Sequence, residues 1–362
     1  MTNWLIFSKS HGQLLTGREK RTIITDITDM GGDFMGKSVR MADIAERLDI
    51  SVESVSKALA GKRGVSEEMR GKVVALAKEM GYELAKSSKE QVSTGNIGVL
   101  VADRYFVGSP FYATLYRGLV LSGTQSGVTC MMEIVSPEAE RDIVQPALVS
   151  GRKVEALIFM GSFSHAYVQS VIECGLPFVL LDFFIPGYSY HCVNSDNLNG
   201  GYVLTKHLLE QGRREIGFIG SVNASSSIMN RYLGYQWALQ EAGLTPKREW
   251  VLEDRNENML LAPVTLPEHL PQAFLCNCDE VAYHLVERLR EAGKRVPEDV
   301  AVCGYDDIRT PTLSQPLLTT YRVNLEQMAK IAVWSIQQQL QQGRTEPVLL
   351  TVPGQLIIRE ST

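Results

Sequence analysis

The clearest candidate chemistry in this sequence lies between Met41 and Leu59, where polar residues alternate with apolar ones at helical spacing. Ile44, Ala45 and Leu48 share one face of a first helix. Ser51 then offers a hydroxyl to the unpaired amides of a second, whose Val55 and Leu59 point inward. Two such helices joined by a turn of about three residues make a helix-turn-helix, whose second helix can enter the major groove of DNA. Val52 and Glu53 then lie toward base edges, and Ser54, Ser56 and Lys57 within reach of phosphates or bases. A carboxylate can accept from cytosine N4, a pairing worth about 1 to 3 kcal/mol of discrimination. The same pattern also fits a three-helix module for protein contacts, so spacing alone leaves both readings open.

Residues that would drive catalysis are not grouped in any known way. No Gly-x-Gly-x-x-Gly follows a strand-like run, and there is no Gly-x-Ser-x-Gly or His-Glu-x-x-His. Gly217-Phe218-Ile219-Gly220-Ser221 reads as a buried strand and its exit. The six histidines are scattered, and the six cysteines lie far apart except for Cys276 and Cys278, which have no further His or Cys close in sequence to complete a metal site. Reduced thiols in the cytoplasm are the simplest reading. The expectation is a chain that is no enzyme and uses no metal or cofactor.

The elements that must position these residues follow from periodicity. A third helical burst after Ser66, with Met69, Val73, Leu76, Ala77 and Met80 ahead of a Gly81 stop, completes a minimal bundle over residues 39–82. Residues 83–96 are polar and read as a hinge or linker. Beyond them, β-rich runs alternate with helix-length stretches: Ile97–Ala102, Val128–Val135, Ala156–Met160, Phe178–Asp182, Ile216–Gly220, Ala273–Cys276 and Val300–Gly304. That alternation is the signature of parallel α/β sheets with crossover helices, and about 265 residues suit two lobes with a cleft better than one.

Composition sets the limits. With 44% hydrophobic and 21% charged residues the chain has enough apolar matter for a large core, and no apolar run is long enough to span a bilayer or to read as a secretory signal. Net charge is −5, yet residues 39–90 carry +1 and residues 1–38 another +1, leaving −7 for the remainder. Any nucleic-acid surface must be small, close to the N-terminus and built on specific contacts. Residues 1–38 show no period, contain five glycines and read as a poorly ordered extension. Gly31-Gly32-Asp33 can be encoded by a ribosome-binding sequence one codon ahead of Met35, which makes Met35 the expected start.

Asp43-Ile44-Ala45 with Val55-Ser56-Lys57, then Val65-Ser66-Glu67-Glu68-Met69-Arg70, Gly81-Tyr82, Ile97-Gly98-Val99-Leu100-Val101, Pro297 to Asp307 and Pro316-Leu317-Leu318-Thr319-Thr320 occur in an order that resembles the LacI/GalR (lactose and galactose repressor) family of bacterial transcription regulators. The resemblance runs from Val39 over roughly nine tenths of the chain. It implies an α/β fold: an N-terminal three-helix helix-turn-helix head and a two-lobed, periplasmic-binding-protein-like core of parallel sheets over residues 97–362. Lobe 1 would take about 97–193 and 321–350, and lobe 2 about 194–320 and 351–362. It further implies a cytoplasmic, homodimeric, effector-responsive repressor of carbohydrate uptake or catabolism genes, bound to double-stranded, pseudo-palindromic operator DNA. Val52 and Glu53 match its base-reading positions; Lys57 matches a position usually held by arginine and lacks the bidentate fork. For the effector, by this likeness a sugar or sugar derivative, Asp182 matches a cleft acid, Arg231 the effector-binding arginine, Asp306 a hydroxyl-binding acid, and Phe111 and Tyr112 an aromatic entrance. Carboxylates and a guanidinium give charge-assisted hydrogen bonds to hydroxyls, and aromatic faces cover a sugar's apolar side.

Three departures accompany the likeness. Ala85-Lys86-Ser87-Ser88 replaces the family's Ala-Arg-x-Leu hinge, putting serine where leucine would wedge into the minor groove. Cys278 stands where a cleft asparagine is common. Pro263, Pro267 and Pro271 deny a helix to the stretch between Asp254 and Gln272, which alters the cleft wall. A transport receptor would share the core but not the three-helix head, and a sugar-binding module that has lost operator binding is the alternative to a repressor. The end of the chain carries no heptad tail, so a dimer is expected rather than a tetramer.

Overall fold

The computed structural model describes residues 41–59, 64–80, 95–106, 110–257, 259–308, 315–343 and 345–362. The expected N-terminal extension, the helix stop at Gly81 and the altered hinge at Ala85-Lys86-Ser87-Ser88 lie outside the described residues. The chain divides into two compact units, Met1–Glu90 and Gln91–Thr362.

In the first unit, α1 (Met41–Leu48), α2 (Val52–Leu59) and α3 (Glu67–Glu79) bury Ile44, Ala45, Val55, Ala58, Val73 and Ala77 against one another. The turn between α1 and α2 closes because Asp49 adopts a left-handed φ of 50° and Ile50 N–H donates to the Ala45 carbonyl at 3.1 Å. Ser51 Oγ accepts from Ser54 N–H at 3.1 Å and Ser66 Oγ from Met69 N–H at 3.3 Å, so both expected caps form. One inward position differs: Leu59 is half-buried, while Ala58, three residues after Val55 on the same face, takes the core position.

The second unit starts with β1 (Asn96–Ala102), α4 (Asp103–Phe106), α5 (Pro110–Gln125), β2 (Thr129–Val135), α6 (Pro137–Arg141), α7 (Ala147–Ser150), β3 (Ala156–Met160), α8 (His165–Ile172), β4 (Phe178–Leu181) and β5 (Cys192–Ser195). It continues with α9 (Asn197–Glu210), β6 (Ile216–Ile219), α10 (Ser226–Glu241), β7 (Val251–Leu252), β8 (Ala273–Cys276), α11 (Asp279–Glu291) and β9 (Ala301–Cys303). Last come β10 (Thr320–Arg322), α12 (Leu325–Gln342), β11 (Leu349–Val352) and β12 (Gln355–Ile357). Two parallel sheets result, ordered β11-β5-β4-β3-β1-β2 and β7-β6-β8-β9, with β10 and β12 forming an antiparallel pair.

Burial explains why these runs became central strands. β1 is apolar on both faces: Ile97, Val99 and Val101 join one hydrophobic cluster, Leu100 and Ala102 another. The chain passes to the second sheet after Ser195 and rejoins the first through β11, which extends to Val352; each of these points lies two residues beyond the division expected from sequence. Among the described residues no helix fills 253–278. Instead Arg255 and Leu261 form an antiparallel bridge and Ala262 N–H donates to the Asp254 carbonyl at 2.9 Å, closing a tight hairpin ahead of the prolines. No helix among the described residues is long and apolar enough to cross a membrane.

Candidate functional site

Open parallel sheets place ligands beyond the carboxyl ends of their strands, and several buried polar residues of this core gather there. Asp182 follows β4, Asn277 and Cys278 follow β8, Asp306 follows β9, Arg231 lies in α10, and Phe111 and Tyr112 open α5. All six residues singled out in the core from sequence (Phe111, Tyr112, Asp182, Arg231, Cys278 and Asp306) line one cavity of about 420 Å³. That volume suits a small molecule.

Arg231 is the centre of this arrangement. Its Nε donates to Asn197 Oδ1 at 2.8 Å, its Nη1 to the Asn277 carbonyl at 2.6 Å, and its Nη2 lies 3.8 Å from Asp306 Oδ1. The guanidinium also stacks 3.8 Å above the centre of the Tyr305 ring. Glycines allow this: a Cβ on Gly201 would collide with the Arg231 carbonyl, and one on Gly234 with the Leu198 carbonyl, so α9 and α10 pack backbone to backbone only because both positions are glycine. Arg231 is therefore a structural tie as well as a cavity residue.

The two carboxylates face the cavity incompletely satisfied. Asp182, 6% exposed, accepts from Tyr112 Oη–H at 2.8 Å through Oδ2, while its Oδ1 has no hydrogen-bond partner; Asp306 Oδ1 has none either. Burial raises the Asp182 carboxyl to about 6, against the opposing pull of Arg231 and the Tyr112 hydrogen bond. Burial likewise raises Asp306 well above the usual carboxylate range, again opposed by Arg231, with Asp279 and Asp182 adding repulsion. Buried polar atoms almost always make hydrogen bonds, so two carboxylate oxygens that accept none, on residues lining one cavity, point to a ligand that donates to them.

Some positions differ from what the sequence suggested. Tyr112 was expected at an aromatic entrance, but its hydroxyl is committed to Asp182 on the cavity floor, and Phe111 is 8% exposed and packed in the core. Tyr105 and Pro110 stand on that wall as well. Cys278 reaches the cavity with its thiol pushed up to about 12 by burial, so it is a neutral, weakly polar group there. Cys276 turns into the hydrophobic cluster under α11 instead.

Three contributors escaped sequence reasoning. Arg255 lines the cavity and is held by Asp254 Oδ2 at 2.6 Å; Ser227 lines it and donates its hydroxyl to the Asp182 carbonyl at 2.8 Å. Met259, Leu260 and Leu261 form an apolar stretch on the hairpin that replaces the helix. Only the proline-rich composition just after it marked that segment as unusual.

On the first unit, α2 presents Val52, 48% exposed, with Glu53 and Ser56 also exposed, and Ser54 and Lys57 half-buried. Three of these groups already have partners. Glu53 Oε1 lies 2.8 Å from Lys57 Nζ, which holds the Glu53 carboxyl below its ordinary range, and Ser54 Oγ shares a hydrogen bond with Ser51 Oγ at 2.9 Å.

A helix-turn-helix unit joined to a two-sheet core with a buried polar cavity defines an effector-responsive, DNA-binding transcription regulator. Residues 40–83 match bacterial regulatory proteins of the lacI family, and residues 205–362 match a periplasmic binding protein-like domain. The chain belongs to the lacI family. It is 27% identical over 328 residues to the ribose operon repressor of Haemophilus influenzae, covering 89% of this chain and 98% of that one. It is 28% identical over 341 residues to the HTH-type transcriptional repressor PurR of the same species, covering 88% and 97%. Among solved structures, the CelR–cellobiose complex superposes with a TM-score of 0.65 at 23% identity, covering 90% of this chain and all of that one. The Lac repressor dimer bound to operator and the anti-inducer ONPF gives 0.62 at 19%, covering 90% and 99%. These structures share the fold.

Proposed function

We propose that the chain is a cytoplasmic homodimeric repressor of carbohydrate uptake or catabolism genes, in which residues 39–82 read operator DNA and the core from residue 97 onward binds a hydroxylated effector and holds the dimer. The hinge is assigned to 83–96, with the two lobes divided near 193, 320 and 350. Val52, Glu53, Ser54, Ser56 and Lys57 contact DNA; Phe111, Tyr112, Asp182, Arg231, Cys278 and Asp306 form the effector site. The observation that carries this reading is the pair of buried carboxylate oxygens, one on Asp182 and one on Asp306, that accept no hydrogen bond although both residues line one cavity. The likeness to a ribose operon repressor and to a cellobiose-bound regulator supports a sugar as the donor of those hydrogen bonds.

The mechanism follows from where each group is anchored. Asp182 and Tyr112 belong to the lobe built on the first sheet, whereas Arg231 and Asp306 belong to the other. An effector that touches all four gains contacts only at one angle between the lobes, so it binds that angle better than any other. Ser227 to the Asp182 carbonyl and Phe184 N–H to Ser226 Oγ, at 2.8 and 3.0 Å, are the protein's own cross-lobe bonds beside the cavity. A change in lobe angle alters how a dimer spaces its two heads, with a coupling of about 1 to 3 kcal/mol.

Fluorescence anisotropy with duplex taken from upstream of the chain's own gene tests this over a salt series. A preference of about a thousandfold over unrelated duplex with a steep salt slope is the expected result, followed by release or tightening with a sugar. Equal, weak binding to both duplexes at every sugar tested overturns the repressor reading.

A further inference from the structure

Three chain crossings join the two lobes: after Ser195 at the end of β5, at β10 ahead of α12, and between β11 and β12. Any change of lobe angle turns on them. A series of buried contacts runs from the cavity to all three. It starts at Arg231, whose guanidinium lies 3.8 Å above the centre of the Tyr305 ring. Tyr305 in turn lies against Tyr321 of the second crossing, with ring centres 5.1 Å apart. The Tyr305 hydroxyl is 3.4 Å from Ser195 Oγ on the first crossing, and Tyr321 Oη accepts from Gly354 N–H at 2.9 Å on the third. Two further bonds reinforce the series. Asn197, which accepts from Arg231 Nε, donates its own Nδ2 to the Ser195 carbonyl at 3.1 Å, and Asp306 N–H donates to the Tyr321 carbonyl at 2.9 Å.

The two tyrosines have little room to yield. Tyr305 is 0% exposed and Tyr321 1%. A Cβ on Gly200 would collide with the Tyr305 ring and one on Gly354 with the Tyr321 ring, so the start of α9 and the third crossing press backbone against them. An interior packed this closely passes a displacement on rather than absorbing it. Neither tyrosine is among the residues that line the cavity. Their hydroxyls are directed at the crossings, and phenylalanine would fill the same space without them.

We propose that Tyr305 and Tyr321 are the positioning residues that couple the cavity to the lobe angle. A ligand on Arg231 and Asp306 acts through them on all three crossings, and the hydroxyl contacts with Ser195 and Gly354 belong to one lobe arrangement and not to the other. Contacts that differ between two arrangements are what make ligand binding depend on the angle. This rests on the effector reading above and names the residues through which that effector regulates operator binding.

The test uses the full chain, with the common aldoses and the disaccharides of glucose and galactose as probes. Operator affinity is read by anisotropy with and without saturating sugar, and sugar affinity by calorimetry. The variants are Tyr305→Phe, Tyr321→Phe and Ser195→Ala, the last leaving both rings in place, with Tyr116→Phe as a control whose hydroxyl bonds to the Cys130 carbonyl inside one lobe. For a sugar that changes wild-type operator affinity, the ratio of operator Kd with and without it should fall at least about fivefold in the three variants and stay unchanged in the control. The sugar should still bind each operator-free variant within about fivefold of its wild-type Kd. Tyrosines that only support the fold would lower the melting temperature and keep the wild-type ratio; a wild-type ratio in all three variants, or in Ser195→Ala where a tyrosine variant does not fold, overturns the proposal. Loss of sugar binding in either tyrosine variant also overturns it, because the hydroxyl would then belong to the binding site. Failure of every sugar to bind a chain that still holds its operator overturns the effector reading itself, and the proposal with it.

Discussion

Asp182→Asn separates the ligand-binding reading of the cavity from a structural one. The carboxyl is 6% exposed and raised from 3.8 to about 6, so above pH 6 the folded protein holds a charge that the unfolded chain carries more easily. At about 1.4 kcal/mol per pH unit this costs the native state about 3 kcal/mol at neutral pH. The stability contributed by the protonated group is complete below the unfolded value and is lost as pH rises through about 6. Asparagine keeps an acceptor for Tyr112 and removes the charge, but it leaves an amide N–H₂ where Oδ1 has no partner, which returns about 1 kcal/mol of the gain. The variant should therefore be about 1 to 3 kcal/mol more stable than the wild type at pH 8 and no more stable at pH 4, as read by urea denaturation without effector. It should also lose the effector response. A variant less stable than the wild type at pH 8 would refute this reasoning, since it would show that the carboxylate holds the fold together rather than waiting for a ligand.

Arg231→Met removes two short hydrogen bonds and leaves Asp306 without its cation, so the core should lose about 3 to 5 kcal/mol in urea melts, and a loss under about 1 kcal/mol would contradict the tie described above. Gly201→Ala should cost about 1 to 3 kcal/mol or more by forcing α10 away from α9, and the same variant should weaken effector binding because Arg231 moves with the helix; unchanged melting would show that the helices can part freely. Ser51→Ala removes the cap on α2 and should lower the melting stability of the head by about 1 kcal/mol, seen by circular dichroism on the full chain. Glu53→Gln breaks the ion pair with Lys57 and should relax base preference at one position of each half-site, measured by anisotropy on a set of singly substituted duplexes; an unchanged preference profile would place base reading elsewhere on α2.

Local patterns were enough to determine much of this protein. Helical periodicity placed α1 and α2 and both serine caps, because a cap and an amphipathic face are decided within a few residues of chain. The long central strands were legible for a similar reason: a strand buried on both faces must be almost wholly apolar, as β1 and β3 are. Family motifs then marked Phe111, Tyr112, Asp182, Arg231, Cys278 and Asp306, which the fold brings to one cavity. Short strands such as β7, β10 and β12 were not legible, since two or three residues carry no period and pair only because distant segments supply their partners. The role of Tyr112 was equally hidden: its hydroxyl meets a carboxylate 70 residues away, and only the folded chain sets that distance. The prolines after Asp254 announced that a helix was missing, but not what replaced it. The hairpin, its exposed Met259 and Leu260, and Arg255 at the cavity wall come from backbone hydrogen bonds among Asp254, Asn256, Leu260 and Ala262, whose outcome depends on the sheet and on α11 beside them. Sequence determined which residues could bind a ligand because their chemistry is intrinsic; tertiary structure decided which of them share a cavity, how far each is desolvated and which oxygens remain unpaired, because those are properties of neighbours.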